Sequence, residues 1–210
     1  MTPCFSSGVD MIYRIFGLFL ILVLSACGPN SGSSTAGKSP FQGTDITGAD
    51  WGKELQLTDH NGQRRSLADF HGKVVVLFFG YTHCPDVCPT TLGELGITLK
   101  RLGADAAKVQ VLFVTIDPAR DTPALLAQYV PSFNPTFLGL TGTEAEIDKV
   151  AKSFKVFYKK QESGSKGGYT MDHSANTFIL DSQGRLRLLF GFGSGAAPLV
   201  HDIQALLSGK

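Results

Sequence analysis

From Trp51 onward the hydrophobic pattern changes its period about every 10 to 20 residues. Leu55-Gln-Leu57 alternates and runs into Asp59-His60-Asn61-Gly62, where Asn-Gly predicts a hairpin turn. Lys73-Val-Val-Val-Leu-Phe-Phe79 is an apolar run bounded by glycines, the pattern of a central strand buried on both faces. Val109 to Ile116 repeats it. Between them, Leu92, Leu95, Ile97, Leu99 and Leu102 recur at roughly helical spacing over Thr90 to Leu102, with Gly103 as the stop. Thr122-Pro123 opens a second helix to about Val130, and Leu138 to Thr141 is a short strand. Thr143-Glu-Ala-Glu146 is a capping box starting a helix through about Ser153. Asn176–Leu180 and Leu186–Phe190 flank Asp181-Ser-Gln-Gly184 as a hairpin, and a last helix covers about Ala197 to Leu207. Strands alternating with helices, closed by a hairpin and a helix, predict an α/β fold: a mixed central sheet flanked by helices, with an N-terminal β-hairpin extension.

The first 26 residues read as an address. Arg14 precedes the uncharged apolar run Ile15 to Leu24, followed by Ser25-Ala26-Cys27. That is the layout of a secretory signal, and the run is short of the ~20 apolar residues a spanning helix needs. Met11 is a better-placed start than Met1. Leu24-Ser-Ala-Cys27 resembles a bacterial lipobox, which would make Cys27 the lipidated first residue of the mature protein; the alternative is an ordinary signal that happens to contain a cysteine. Residues 27–43, rich in Gly, Ser and Pro, read as a flexible tether, leaving residues 44–210 as one domain. The expected location is outside the cytoplasm, anchored by lipid to a bacterial membrane with the domain facing the periplasm or cell exterior.

Charge narrows the partners. The chain carries 19 Lys+Arg against 18 Asp+Glu, a net +1, so nothing supplies the basic excess that nucleic acid requires. Four cysteines in 210 residues are too few for a disulfide scaffold. Cys4 lies ahead of the signal, and Cys27 is taken by the anchor.

Cys84 and Cys88 carry the chemistry. They sit in Phe79-Gly-Tyr-Thr-His-Cys-Pro-Asp-Val-Cys-Pro89, between a buried strand and a helix whose first turn holds Pro89. Cys88 near the N-cap and Cys84 on the loop before it would both feel the helix's positive end, which favours thiolate. With three residues between them, the two sulfurs can close a disulfide or converge on one ion. Thiolates favour Cu(I), and an added imidazole suits Cu(II) or Zn. A purely structural disulfide is a third reading, weakened by the tiny loop it would close. Among the five histidines, His60, His71 and His201 read as surface residues, and His83 is expected to point away from its neighbour Cys84. His173, in Tyr169-Thr-Met-Asp-His-Ser-Ala175, follows the glycine-rich loop Gly164 to Gly168 and is placed to be delivered to the cysteine pair by a mobile segment.

Three segments in order, Phe78-Phe-Gly-Tyr-Thr-His-Cys-Pro-Asp-Val-Cys-Pro89, Thr115-Ile-Asp-Pro-Ala-Arg-Asp-Thr-Pro123 and Met171-Asp-His-Ser-Ala175, closely resemble the Sco/SenC family over about Phe41 to Leu207. The resemblance implies a thioredoxin-like fold and one copper ion, Cu(I) or Cu(II), held by Cys84, Cys88 and His173. It implies a role in building the binuclear copper centre of cytochrome c oxidase. The CuA-bearing subunit would be the recipient, with other copper chaperones or thioredoxin-like reductants as further partners. Asp117, Arg120 and Asp121 match an acidic motif associated with the site or with partner contact; the plainer reading is a turn whose charges pair. Asp86 is expected to fix the cysteine loop through hydrogen bonds to backbone N–H groups, or to draw in copper or a basic partner through its carboxylate. Where thioredoxins place a cis-proline, Asp172 to Asn176 has no proline, which favours metal over routine exchange. Two alternatives stay open: a thiol–disulfide oxidoreductase using Cys84 and Cys88 to keep a recipient's cysteines reduced, and a peroxidase, for which Thr82 is near but no arginine adjoins in sequence.

Overall fold

The computed structural model of the chain describes residues 39–162 and 168–210. The signal, Cys27, most of the tether and the glycine-rich loop at Gly164 lie outside the described residues. Among the described residues no helix is long and apolar enough to cross a membrane.

The two apolar runs become the centre of the sheet. β4 (Val74–Gly80) and β5 (Val109–Thr115) pair in parallel, and all fourteen of their residues are buried. β6 (Leu138–Thr141) extends the sheet in parallel beyond β5. β2 (Gln56–Asp59) and β3 (Arg64–Ser66), the expected N-terminal hairpin, add antiparallel to β6. On the other side of β4 come β9 (Thr177–Leu180), β10 (Leu186–Phe190) and the two-residue β1 (Thr44–Asp45), all antiparallel. The order β1-β10-β9-β4-β5-β6-β2-β3 is a mixed sheet.

Helix starts follow their caps. α2 (Pro123–Tyr129) begins with Thr122 accepting from the Leu125 N–H at 3.2 Å. α3 (Glu144–Ser153) has the full capping box: Thr143 accepts from Glu146 N–H, and the Glu146 carboxylate accepts from Thr143 N–H at 2.8 Å. α1 (Val87–Leu102) starts three residues earlier than its apolar spacing suggests, and Ile97 lies off its buried face at 48% exposed. α1 packs against α4 (Ala196–Leu207). In α4 the buried Asp202 carboxylate accepts the N–H groups of Gln42 and Gly43, so those two residues are already held by the fold.

Strand alternation sorts the core into two faces. Phe79 meets Phe154 and Phe178, while Phe78 meets Phe113 on the side of Gly80 and the first turn of α1.

Two readings need correction. The chain between α3 and β9 forms a separate ribbon, β7 (Tyr158–Glu162) paired with β8 (Tyr169–His173), so His173 ends a strand rather than riding a mobile loop. The sequence hides this because Tyr-Lys-Lys-Gln-Glu has no apolar face; backbone pairing rather than core burial makes it a strand. His60 is not a solvated turn residue. It continues the β2–β6 ladder, its N–H donating to Gly139 O and its Nδ1 accepting from Gly139 N–H at 3.0 Å. Partial burial lowers its pKa from the ordinary histidine value.

Candidate metal centre

The carboxyl ends of β4 and β5 build the site. After Gly80 the chain leaves the sheet, turns at Thr82-His83, and enters α1 with Cys88 as its second residue. Gly80 makes room: a Cβ there would lie 2.8 Å from Cys88 Sγ and 2.9 Å from Phe113 Cε2. The Cys88 N–H points at Cys84 Sγ at 3.4 Å, drawing the two sulfurs together, and both thiols are free. Cys84 is half-buried and Cys88 fully buried.

His173 reaches the same point from β8, with Nε2 3.7 Å from Cys88 Sγ. The donor atoms of Cys84, Cys88 and His173 all lie within 4.8 Å of one another, the only such cluster of potential metal ligands among the described residues. His173 Nδ1 is 3.0 Å from the Ser174 carbonyl oxygen, which can only accept. That bond puts the ring proton on Nδ1 and leaves the Nε2 lone pair facing the sulfurs, the tautomer a metal needs. Phe78 and Tyr81 hold the ring edge-on, at centroid distances of 6.3 and 6.1 Å.

Electrostatics correct the helix-end expectation for Cys88. Burial pushes its thiol well above the ordinary cysteine range, and the neighbouring Cys84 adds to the shift. Desolvation in the first turn outweighs the helix's positive end, so the metal-free site holds Cys88 as a thiol, and an arriving cation supplies the charge that releases the proton. Burial lowers the His173 pKa, keeping the imidazole neutral and able to ligate.

These shifts set a pH profile for the metal-free protein. A histidine with a depressed folded pKa takes its proton more readily when unfolded, so stability falls as pH drops below ~6.5. A thiol with a raised folded pKa gives the reverse, so stability falls as pH rises above ~8.5. Urea unfolding across pH is expected to show both slopes. His173→Gln should flatten the acid one, with a residue left by His60, and an unchanged acid slope would refute the assignment.

The acidic motif is more than a turn. Asp117 pairs with Arg120 and accepts from the Tyr169 hydroxyl at 2.8 Å. Arg120 also donates to the Tyr169 carbonyl at 3.0 Å and lies 3.5 Å above that tyrosine's ring. Asp121, fully buried, accepts from Thr82 N–H, from the Thr82 hydroxyl at 2.6 Å and from the Thr115 hydroxyl at 2.7 Å. Burial raises the Asp121 pKa against the pull of those hydrogen bonds. Asp117 and Arg120 thus reach the His173 ribbon, and Asp121 reaches the cysteine loop. Asp86 behaves otherwise than expected: exposed at the N-cap, its carboxylate accepts the Thr90 hydroxyl at 3.3 Å and makes no bond to a backbone N–H.

His83 is exposed, 3.0 Å from the Thr82 hydroxyl, and takes no part in the ligand cluster. His71 is exposed, and His201 caps Asp202 far along the chain. Arg120 donates through Nε to Asp117 and through Nη1 to Tyr169, and its buried Nη2 meets no acceptor; neither sulfur is among its partners, so no contact supports the peroxidase reading. Sequence reasoning missed Gly80 and Ser174. A glycine ending a buried apolar run was the available signal for Gly80; nothing in the sequence marks a carbonyl.

The SCO1/SenC family model matches residues 43–208. The bovine mitochondrial SCO2 homologue is 42% identical over 153 residues, 72% of this chain and 58% of that protein. A SCO2-like protein of Rickettsia felis is 37% identical over 154 residues, covering 73% and 75%. The chain spans about three fifths of the length of its mammalian mitochondrial relatives, 60% of the mouse protein. Among solved structures, Bradyrhizobium japonicum ScoI with copper bound aligns with a TM-score of 0.68 at 42% identity, over 73% of this chain and 97% of that one. Apo Sco1 from Thermus thermophilus aligns with a TM-score of 0.71 at 40% identity, over 79% and 96%. The fold shared with these structures is thioredoxin-like.

Proposed function

Since this chain belongs to the SCO1/SenC family, we propose that it is a copper metallochaperone that holds one copper ion through Cys84 Sγ, Cys88 Sγ and His173 Nε2. It passes the ion on during assembly of the CuA centre of cytochrome c oxidase. The observation that carries the reading is the convergence of two sulfurs and a correctly protonated imidazole within 4.8 Å. Two soft donors favour Cu(I), and the nitrogen admits Cu(II). A three-ligand site with a half-exposed Cys84 leaves a side from which a recipient's sulfur can enter. Copper bound in the Bradyrhizobium relative supports the choice of metal. The chain works outside the cytoplasm, anchored through lipidated Cys27, with the segment after it as a tether that lifts the domain from the membrane.

One observation favours a second activity. A half-exposed sulfur beside a buried one is the layout of an attacking and a resolving thiol, so Cys84 and Cys88 suit thiol–disulfide exchange with a recipient's cysteines. Copper bound per chain, measured on the native domain and on His173→Ala with both cysteines intact, separates the readings. Stoichiometric binding that weakens in the variant is expected. Equal binding by both would overturn the role of His173. No binding by the native domain, together with reduction of an oxidised CuA-type subunit, would make the exchange reading the function.

A further inference from the structure

We propose that Arg120 is a positioning residue for His173, acting through Tyr169, and that copper holding and dithiol chemistry can be separated at this residue. The inference rests on the copper reading above. It begins from the isolation of the ribbon that carries His173: β7 and β8 pair with each other and with no strand of the main sheet. Their pairing fixes His173 against Tyr158 but leaves open where the ribbon as a whole sits.

Tyr169, at the other end of β8, supplies what the pairing lacks. Residues 169, 171 and 173 lie on one face of the strand by its two-residue period. Met171 is buried there. Tyr169 is gripped three ways by the segment after β5: its hydroxyl by Asp117, its carbonyl by Arg120 Nη1, and its ring by the Arg120 guanidinium. Lys160 covers the ring at 4.2 Å and is about half exposed, so it gives the ribbon no anchor outside itself.

The cysteine loop has a different anchor. Asp121 holds Thr82 through both its N–H and its hydroxyl, and the Cys84–Cys88 contact is local to the first turn of α1. One five-residue segment, 117–121, therefore sends one arm to the histidine and another to the sulfurs. Releasing the first arm lets Nε2 drift from the sulfurs, which a metal site held to within ~0.5 Å does not tolerate. The sulfur pair keeps its own anchors, Asp121 on Thr82 and the Cys88 N–H on Cys84 Sγ, and the Arg120 guanidinium meets that loop only as a ring contact 5.7 Å from the Tyr81 centroid.

The test uses Asp117→Asn/Arg120→Met, which removes both charges together and strands no buried carboxylate. Arg120→Lys keeps a charge opposite Asp117 and carries the test if the double variant folds poorly. Lys160→Met is the control. Cu(I) affinity by chelator competition is expected to fall ~10–100-fold in the double variant, the usual effect of losing a partner that orients a ligand. Arg120→Lys should fall between it and the native protein, and Lys160→Met should match the native protein. The Cys84/Cys88 dithiol midpoint should stay at its native value, while the Cu(II) electron paramagnetic resonance spectrum moves toward that of His173→Ala. Native affinity with a native spectrum would overturn the proposal, as would a midpoint that shifts along with the affinity. If the native protein itself binds no copper, the functional reading fails, and the brace is then read from amide hydrogen exchange at Met171 to His173 in the metal-free proteins. Faster exchange in the double variant would support it, and equal exchange would overturn it.

Discussion

Serine in place of Cys88 is expected to abolish copper binding while the fold survives. The two residues have the same shape, but the smaller oxygen of a buried serine sits farther from His173 Nε2 than the sulfur's 3.7 Å, so the cost to stability should be about 1–3 kcal/mol. The loss of function is far larger. Cys88 is one of two soft donors, and its sulfur faces the imidazole at 3.7 Å; a hydroxyl is a hard, weakly acidic donor that a soft ion does not prefer. The affinity loss should exceed the ~10–100-fold that follows loss of an outer partner. Chelator competition against Cu(I) and urea unfolding of the same sample measure the two quantities separately. Retention of one tightly held copper per chain would contradict the ligand set.

Alanine at Gly80 should damage both stability and site through one methyl group. Its Cβ would meet Cys88 Sγ at 2.8 Å, Phe113 Cε2 at 2.9 Å and Phe78 Cε1 at 3.1 Å, all on fully buried side chains. Forcing an atom into such packing costs ~1–3 kcal/mol. For a domain of this size that is about 2–4 °C in melting temperature for each kcal/mol. The softest neighbour to move is Cys88 in the first turn of α1, so the sulfur should shift from its partners and copper affinity should drop with the melting temperature. A variant that melts and binds copper like the native protein would show that Gly80 is not a spacer for the sulfur.

What could be read in advance follows from how each feature is encoded. The double apolar runs of β4 and β5 and the capping box at Thr143 announce themselves because burial and capping are written in adjacent residues. Cys84 and Cys88 were legible for the same reason, being four positions apart at the end of a buried strand. The ribbon under His173 was not, because its strands are polar and their stability lies in backbone pairing. The acidic motif stayed ambiguous between turn and site because its partner, Tyr169, lies 49 and 52 residues from Arg120 and Asp117. The sign of the Cys88 shift was missed because a helix end can be inferred from Pro89, whereas the depth of a side chain cannot.

Cys88 and His173 are 85 residues apart in the chain. The sulfur pair is held by β4, the first turn of α1 and the segment after β5, but the nitrogen arrives only when the later ribbon has docked. A partly folded or newly made chain therefore offers a bare dithiol, which can oxidise but lacks the third donor. Because the full ligand set exists only in the finished domain, copper binds that state in preference and stabilises it by mass action. On the copper reading, loading would follow the docking of the ribbon, and metal occupancy would report a completed domain.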